Sequence, residues 1–214
     1  MNEHENEIII VLGKRGHGKT TLVKQIAKRW NRQIIIDALG YEYEDGEIFT
    51  DVEEFCEYLL DNKLTQKFTA ILRPPIDTNM NIVFLTCQTL DNYILICEES
   101  DMYIGTKTMP KSLHWLINYG RHIKSSIVFV ARTVPEISIR IRKEYTAFYC
   151  FCFTEPSYLQ WLRDYGFDDE KISKLSKYEF VFLGENIIPD TLLFQSGKII
   201  EQPTEEMENK NGTH

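Results

Sequence analysis

A glycine-rich segment near the amino terminus constrains this chain more than any other feature of its sequence. Residues 7–12 are a short, β-branched apolar run that predicts a strand. Residues 13–21 then read Gly-Lys-Arg-Gly-His-Gly-Lys-Thr-Thr, and apolar side chains recur at helical spacing from Leu22 to Ala27. A strand, a glycine-rich loop and a helix in this order match G-x-x-x-x-G-K-[ST], the P-loop pattern, in the context that it requires. The segment therefore predicts a strand–loop–helix unit whose loop binds phosphate.

The residue types of this loop suit the phosphates of a nucleotide. Glycines allow a tight turn in which several backbone N–H groups point inward, and the following helix adds its positive end. Lys19 supplies a charge for the β- and γ-phosphates, and the Thr20 hydroxyl supplies a ligand for Mg²⁺. The alternative is a glycine-rich turn with a solvated lysine. The predicted nucleotide-binding residues are Gly13, Lys14, Arg15, Gly16, His17, Gly18, Lys19, Thr20 and Thr21.

Strands and helices alternate along the rest of the chain. Apolar runs predict further strands over residues 33–37, 68–72, 93–97, 126–131 and 147–153. Helical spacing predicts helices over residues 51–60, 77–90, 110–124, 155–165 and 168–175, with residues 40–50 as a loop. Thr50 is a plausible N-cap for the first of these helices. The alternation predicts an α/β fold with a mostly parallel sheet covered by helices on both faces.

The carboxy-terminal part differs in pattern from the rest. Two short runs, residues 180–183 and 192–194, have Gly and Pro between them and predict a hairpin at the edge of the sheet. Residues 201–214 are acidic, contain one apolar side chain and predict a disordered, solvated tail. We therefore predict a single P-loop domain over residues 1–200, followed by a tail over 201–214.

A second motif bears on hydrolysis, which a P-loop alone does not imply. Residues 94–99 read Ile-Leu-Ile-Cys-Glu-Glu, four apolar residues followed by paired carboxylates. This is the Walker B form, in which a buried strand beside the P-loop strand delivers acids at its carboxyl end. Glu98 stands where aspartate is more usual. We predict that it holds the Mg²⁺ shell through water, because glutamate has one more methylene than aspartate, and that Glu99 polarises the attacking water. The alternative is a pair of surface acids in a strand-to-helix loop.

Three further residues are candidates for sensing or stabilising the γ-phosphate. Arg132 and Thr133 follow the strand over 126–131, where a P-loop ATPase sheet commonly places a polar sensor. Thr133 is equally suited to cap the segment that follows Pro135. Arg121 ends the helix after Glu99, where it could reach the nucleotide of a neighbouring subunit or simply favour the negative end of its own helix.

Composition narrows the cellular setting. No apolar run approaches the ~20 residues that a bilayer crossing needs, and residues 1–7 are acidic where a signal peptide would be basic. These features predict a cytoplasmic protein without a membrane-spanning segment. Five cysteines at irregular spacing are interpreted as buried free thiols rather than as disulfides or a metal site.

The ordered set of motifs resembles the HerA/FtsK superfamily of P-loop ATPases over residues 7–155. The set comprises residues 13–21, Ile35-Ile36-Asp37, Leu95-Ile96-Cys97-Glu98-Glu99, Gly120-Arg121-His122 and residues 127–132. The small size most resembles the genome-packaging ATPases of membrane-containing icosahedral viruses. The resemblance implies a RecA/FtsK-like sheet, a ring-shaped homo-oligomer (usually a hexamer), double-stranded DNA as the substrate that is moved, and Arg121 as an inter-subunit arginine. A viral ATPase of this kind would act in the host cytoplasm or the virion, beside a portal or capsid-vertex protein. Many members have glutamine near Arg132, which this sequence lacks.

The charge distribution bears on the DNA hypothesis. The net charge is −8, yet residues 107–143 contain eight Lys and Arg against Glu136 alone. Such a block predicts a local anion-binding surface, with Lys107, Lys111 and Lys124 as DNA contacts; the alternative is a solvated face balanced by acidic neighbours. Three functions remain open: a DNA-translocating ATPase for packaging, or for HerA-like processing, conjugation or defence; a nucleotide or small-molecule kinase; and a nucleotide-gated binding module.

Overall fold

The computed structural model describes residues 6–75, 78–104 and 109–184, together with the backbone of two short strands near the carboxyl end. In this part of the chain, strands form wherever β-branched and aromatic residues run together. The strands are β1 (Ile8–Leu12), β2 (Arg32–Ile36), β3 (Glu47–Phe49), β4 (Phe68–Leu72), β5 (Ile94–Cys97), β6 (Ser126–Ala131), β7 (Ala147–Phe151), β8 (Phe180–Gly184), β9 (Phe194–Gln195) and β10 (Lys198–Ile199).

Eight of these strands form one sheet in the order β3-β4-β2-β5-β6-β1-β7-β8. All neighbours pair in parallel except β7 and β8, which are antiparallel. Because parallel strands point the same way, the loops after β1, β2, β5 and β6 meet at one edge of the sheet. That edge is the carboxyl edge below, and the opposite one is the amino edge.

Helices connect the strands where apolar residues recur at helical spacing. They are α1 (Lys19–Ala27), α2 (Val52–Asp61), α3 (Asn81–Cys87), α4 (Lys111–Tyr119), α5 (Ile141–Glu144), α6 (Pro156–Asp164) and α7 (Asp169–Ser173). Short 3-10 helices add Ser100–Met102, Gly120–Ile123 and Val134–Glu136. No described helix is long and apolar enough to cross a membrane.

The strand residues alternate between two apolar clusters, one on each face of the sheet. The larger cluster takes Ile8, Ile10 and Leu12 from β1 and packs them against buried side chains of α2 to α7. The smaller cluster takes Ile9 and Val11, and among the described helices only α1 contributes to it. Both faces of the strands are buried, which explains why their sequences are continuously apolar. The predicted P-loop NTPase sheet with helices on both faces is confirmed, with most helices on one face.

Several local predictions were wrong. Residues 40–50 contain β3, a short strand that pairs with β4 at the sheet edge. Asp51, rather than Thr50, caps α2, because its carboxylate accepts hydrogen bonds from the backbone N–H groups of Glu53 and Glu54 at 2.8 and 3.0 Å. The β5 strand does not lie beside β1, since β6 separates them.

The predicted carboxy-terminal hairpin also differs. The strand over residues 180–184 pairs with β7 rather than with the run near 192–194, and β9 pairs with β10 instead. The predicted tail over 201–214 lies outside the described residues. All five cysteines are free thiols, as predicted; four are buried and Cys152 is partly exposed.

Candidate functional site

The P-loop lies at the carboxyl edge and is fixed to its neighbours through Gly13. The Gly13 N–H donates to the carbonyl oxygen of Ala131 at the end of β6, at 3.2 Å. A Cβ at Gly13 would lie 2.7 Å from the Cβ of Phe151 in β7, so no larger residue fits. Gly18 precedes α1 with φ 98°, a left-handed value that glycine adopts most easily. The glycines therefore serve both close packing and the turn into α1.

Lys19 begins α1 and is folded into the loop, with 7% of its surface exposed. Its Nζ donates to the carbonyl oxygen of Lys14 at 3.3 Å. Burial lowers the pKa of Lys19, whereas the nearby Glu99 and Glu98 carboxylates raise it and so favour the charged form. The ammonium group therefore lies between the P-loop backbone and the paired acids, where a phosphate would meet it.

Glu98 follows β5 and is the more buried of the two acids, with 3% of its surface exposed. Its N–H donates to the carbonyl oxygen of Ile36 at 3.1 Å, which extends the β2–β5 ladder by one residue. The phenol of Tyr43 donates to Glu98 Oε1 at 2.8 Å. Burial raises the pKa of Glu98 to about 7, opposed by the Tyr43 hydrogen bond and by the charge of Lys19.

The donor set around Glu98 fits a Mg²⁺ ion. Magnesium prefers oxygen ligands and usually shares them with substrate phosphates. Thr20 lies in the first turn of α1 and carries a hydroxyl. The buried carboxylate of Glu98 interacts electrostatically with Lys19, which lies in the same turn. A divalent cation would keep this carboxylate ionised, although burial alone favours its neutral form. Thr20 and Glu98 are therefore the residues that would hold the ion.

Glu99 has an unusual backbone and a specific partner. Its φ of 45° is left-handed, which is uncommon for a residue with a side chain. Its Oε1 accepts a hydrogen bond from Arg132 Nε at 2.8 Å. Arg132 reaches Glu99 because β6 lies beside β5 and both strands end at the same edge. In this conformation the Glu99 carboxylate is paired with a guanidinium group.

The two sensor candidates have different surroundings. The carboxylate of Glu136 accepts hydrogen bonds from the backbone N–H groups of Arg132 and Thr133, at 2.9 and 2.8 Å. Thr133 has an extended backbone and forms a capping box with Glu136 at the start of the 3-10 helix. Its placement is therefore that of a cap, whereas the Arg132 side chain extends to Glu99.

Other P-loop residues face the loop before α6. Lys14 Nζ lies 2.8 Å from the Glu155 carboxylate, and both side chains are about two-fifths exposed. His17 has a lowered pKa because of burial and of the charges of Lys14 and Lys19, which favours its neutral form. Arg15 and Thr21 are exposed.

Arg121 lies away from the P-loop of its own chain. It is exposed in the 3-10 helix that precedes β6, and the carbonyl oxygen of Ile123 in that helix accepts from the N–H of Asn92, ahead of β5. Arg121 is therefore at the amino edge. The five residues of β1 separate this edge from the P-loop, a distance of about 16 Å at ~3.3 Å per residue. The Arg121 side chain therefore does not reach the P-loop of its own chain.

The predicted DNA-binding lysines do not form one compact patch. Lys111 is exposed at the start of α4, whereas Lys124 is exposed beyond the 3-10 helix that follows α4. The nine residues of α4 separate them, a distance of about 13 Å at ~1.5 Å per residue. Lys107 lies outside the described residues. The basic block therefore runs from one edge of the sheet towards the other.

Sequence reasoning placed Asp37 in a motif without giving it a role, and it missed Tyr43, which contacts Glu98, and Arg73, which contacts Tyr43. Asp37 follows β2 and is fully buried; its carboxylate accepts from the N–H groups of Gly40 and Glu42, both at 3.2 Å, and of Tyr43, at 3.4 Å. Arg73, after β4, lies 3.4 Å from the same carboxylate and donates to the Tyr43 carbonyl oxygen at 2.6 Å. An acid after a buried strand was a signal for Asp37, but no local pattern marks Tyr43 or Arg73.

The sequence matches a known family over the segment that contains the Walker B acids. Residues 76–174 match the family model described as Poxvirus A32 protein. The matched segment contains both acids of the Walker B motif, Arg121 and Arg132, and it covers slightly less than half of the chain. No curated protein matches the sequence significantly.

Solved structures match the fold over most of the chain. One is the genome packaging NTPase B204 from Sulfolobus turreted icosahedral virus 2 in complex with sulfate, with 21% identity, a TM-score of 0.69, and coverage of 87% of this chain and 94% of that one. Another is VirB4 of Thermoanaerobacter pseudethanolicus, with 12% identity, a TM-score of 0.60, and coverage of 95% and 92%. B204 has also been solved with AMPPCP and with ATP-γS.

These matches confirm the predicted fold and the predicted resemblance. A P-loop NTPase sheet is shared with the genome packaging NTPase B204 and with VirB4, and residues 76–174 match the Poxvirus A32 family model. B204 is a genome packaging NTPase, the class of protein that the motifs of this sequence resemble.

Proposed function

We propose that this chain is a Mg²⁺-dependent ATPase that moves double-stranded DNA in viral genome packaging. The observation that carries the proposal is the convergence of Lys19, Glu98 and Glu99 at the carboxyl edge of a sheet shared with a packaging NTPase. The P-loop supplies the phosphate cradle, and the two acids come from a strand that only the tertiary fold brings there. Proteins with a bare phosphate-binding loop lack this second element.

The roles of the side chains follow from their positions. The P-loop amides and Lys19 bind and orient the phosphates. A Mg²⁺ ion held by Thr20 and Glu98 would supply positive charge to the phosphates. Glu99 can orient a water molecule for attack once its carboxylate is no longer engaged by Arg132. The Glu99–Arg132 pair therefore corresponds to a resting arrangement.

A ring of copies would complete the site. Arg121 is about one strand length from its own P-loop, at the opposite edge. In a head-to-tail ring, that surface of one subunit can face the nucleotide of the next, where a guanidinium group stabilises the charge of the transition state. We propose a ring homo-oligomer, a hexamer by resemblance, beside a portal or capsid-vertex protein in the host cytoplasm or the virion. Lys107, Lys111 and Lys124 are proposed to contact the DNA phosphates.

The experiment that tests the function compares ATP hydrolysis with and without duplex DNA, alongside a native mass measurement. Stimulation by DNA and an oligomeric mass are expected. Lys19→Ala serves as the control, because its loss removes the charge on the phosphates and should abolish turnover in both conditions.

Other outcomes separate the alternatives. Phosphoryl transfer to a small acceptor would indicate a kinase. Such an enzyme needs arginines in a lid over its substrate, but the Cζ of Arg142, a candidate for that role, lies 5.0 Å from the centroid of the Trp161 ring. Nucleotide binding with neither DNA stimulation nor rapid turnover would indicate a nucleotide-gated binding module.

A further inference from the structure

Tyr43 makes contacts at both ends of its side chain and at both backbone groups, although no motif contains it. It lies in the segment between β2 and β3, with 4% of its surface exposed. Its hydroxyl donates to Glu98 Oε1 at 2.8 Å. Lys24 of α1 places its Nζ 4.9 Å from the centroid of the ring. The side chain therefore bridges the helix that follows the P-loop and the carboxylate that follows β5.

The backbone of Tyr43 is fixed by charged groups. Its N–H donates to the fully buried carboxylate of Asp37, and its carbonyl oxygen accepts from Arg73 at 2.6 Å. Asp37 and Arg73 follow β2 and β4, the two strands on the side of β5 away from β6. The residues that follow β2 and β4 thus hold the backbone of Tyr43 independently of Glu98.

Glu98 needs such support because of its length. A glutamate has one more rotatable bond than the aspartate more usual at this position, so more of its freedom must be lost to hold its carboxylate in one place. Glu98 is also desolvated, so no bulk water can hold it. A hydrogen bond from a rigid phenol restricts the carboxylate at low entropic cost, because the tyrosine ring is itself packed in the smaller apolar cluster.

We infer that Tyr43 is a positioning residue, whose hydroxyl orients Glu98 for binding of the nucleotide-associated divalent cation. The inference rests on the proposed function, since it concerns the same site. It assigns to the Asp37–Tyr43–Arg73 group a role in cation binding, rather than in nucleotide binding as such. A residue of this kind should affect the Mg²⁺ requirement and leave the affinity for nucleotide without Mg²⁺ unchanged.

Tyr43→Phe tests this, because it keeps the ring and removes only the hydroxyl. Affinity for a fluorescent ADP analogue is measured over a range of Mg²⁺ concentrations and in EDTA. The Mg²⁺ concentration for half-maximal enhancement of affinity should rise about tenfold, as expected for the loss of a hydrogen bond to a charged group. Affinity in EDTA should match that of the wild type. An unchanged Mg²⁺ requirement would overturn the inference.

Tyr93→Phe is the matched control. Tyr93 is fully buried, and its hydroxyl donates to the Cys87 carbonyl oxygen at 2.9 Å, ahead of β5 at the amino edge. Its substitution removes a comparable buried hydrogen bond away from the site, so the melting temperature should fall without a change in the Mg²⁺ requirement. If Tyr93→Phe raises the requirement as much as Tyr43→Phe does, the effect is one of general stability and the inference is overturned.

A double substitution shows whether Tyr43 acts through Glu98. In a Glu98→Ala background no acceptor for the Tyr43 hydroxyl is left at position 98, so adding Tyr43→Phe should change the Mg²⁺ requirement no further. Additive effects would overturn the inference while leaving the proposed function intact. A wild-type protein whose ADP affinity ignores Mg²⁺ would instead count against the proposed function, and the inference would fall with it.

Discussion

At the scale of single residues, the site consists of a few polar side chains, each of which contacts residues from other strand ends. Glu98 and Glu99 are neighbours in sequence, yet their surroundings differ. Glu98 is buried against Tyr43 and Lys19, whereas Glu99 has a left-handed backbone and pairs with Arg132. Two adjacent carboxylates with different partners can take different roles, one towards the cation and one towards water.

The first prediction separates these two acids. Glu99→Gln retains the shape of the side chain but loses the charge that orients water, so hydrolysis should fall about 10²–10⁴-fold while Mg²⁺–ATP binding persists. Glu98→Gln should instead raise the Mg²⁺ concentration that hydrolysis requires. Steady-state turnover over a Mg²⁺ titration measures both. If the two variants behave alike in both respects, the roles are not divided as proposed.

A second prediction follows from the burial of Glu98. Its pKa is raised from 4.5 to about 7 in the folded protein, so between these values the folded state binds more protons than the unfolded state. The free energy of unfolding should therefore decrease as pH rises through this window, by on the order of 3 kcal/mol. Denaturant unfolding in EDTA measures it. Glu98→Gln cannot ionise and should show a smaller decrease; equal slopes would contradict the assignment.

At the scale of elements, the ends of strands and helices carry the chemistry. The P-loop joins β1 to α1, the two acids follow β5, and Arg132 follows β6. The β5 and β6 strands are neighbours, and β6 adjoins β1, so the three polar segments lie side by side at one edge. Each helix then returns the chain towards the other edge, which is why Arg121, beyond α4, lies far from its own P-loop.

The third prediction concerns the start of α2. Asp51 accepts hydrogen bonds from two backbone N–H groups that otherwise have no partner within the helix. Asp51→Ala should lower the free energy of unfolding by about 0.5–2 kcal/mol, and Thr50→Ala should have a smaller effect. Urea unfolding of both variants measures this. A larger loss for Thr50→Ala would indicate that the helix is capped from the other residue.

At the scale of the whole molecule, one chain holds the parts of a nucleotide site at one edge and an exposed arginine at the other. The proposed ring would bring these two parts together between neighbouring copies. The basic block, which extends along α4 from Lys111 to Lys124, lies between the two edges. The proposed nucleotide and DNA contacts are therefore on different parts of the molecule.

The fourth prediction is that Arg121 acts on the neighbouring subunit. Arg121→Ala should bind ATP but lose hydrolysis, by as much as ~10³-fold. Mixing Arg121→Ala subunits with Lys19→Ala subunits should restore some activity, because a junction can then combine an intact P-loop with an intact arginine. Turnover of the mixture, with subunit exchange confirmed by native mass, measures this. A mixture as inactive as both parents would exclude the role.

The fifth prediction concerns DNA. Substituting Lys107, Lys111 and Lys124 together by alanine should weaken duplex binding and reduce its salt dependence, since every phosphate that is no longer neutralised lowers the log–log slope by about 0.9. Hydrolysis without DNA should persist. Binding measured at several salt concentrations gives the slope, with Lys63→Ala, a surface lysine after α2, as a control for removing a surface charge. An unchanged slope would show that these lysines face away from DNA.

The sequence by itself determined the P-loop, the buried strands and the paired acids, because each is a contiguous pattern whose residues act locally. Glycine spacing, β-branched runs and a strand followed by two carboxylates are readable without knowing what lies beside them. The sequence also shows glutamate at position 98, where aspartate is more usual, but it does not show which residue holds the longer side chain in place.

Only the tertiary structure decided which of these segments meet. Tyr43 reaches Glu98 across 55 residues, and Arg132 reaches Glu99 across 33. The order of the strands, the place of β6 between β1 and β5, and the pairing of β8 with β7 are likewise non-local. Local patterns specify a strand and the faces it buries, but the strand beside it depends on the packing of the whole sheet, because every interior strand presents similar apolar side chains and the same backbone groups.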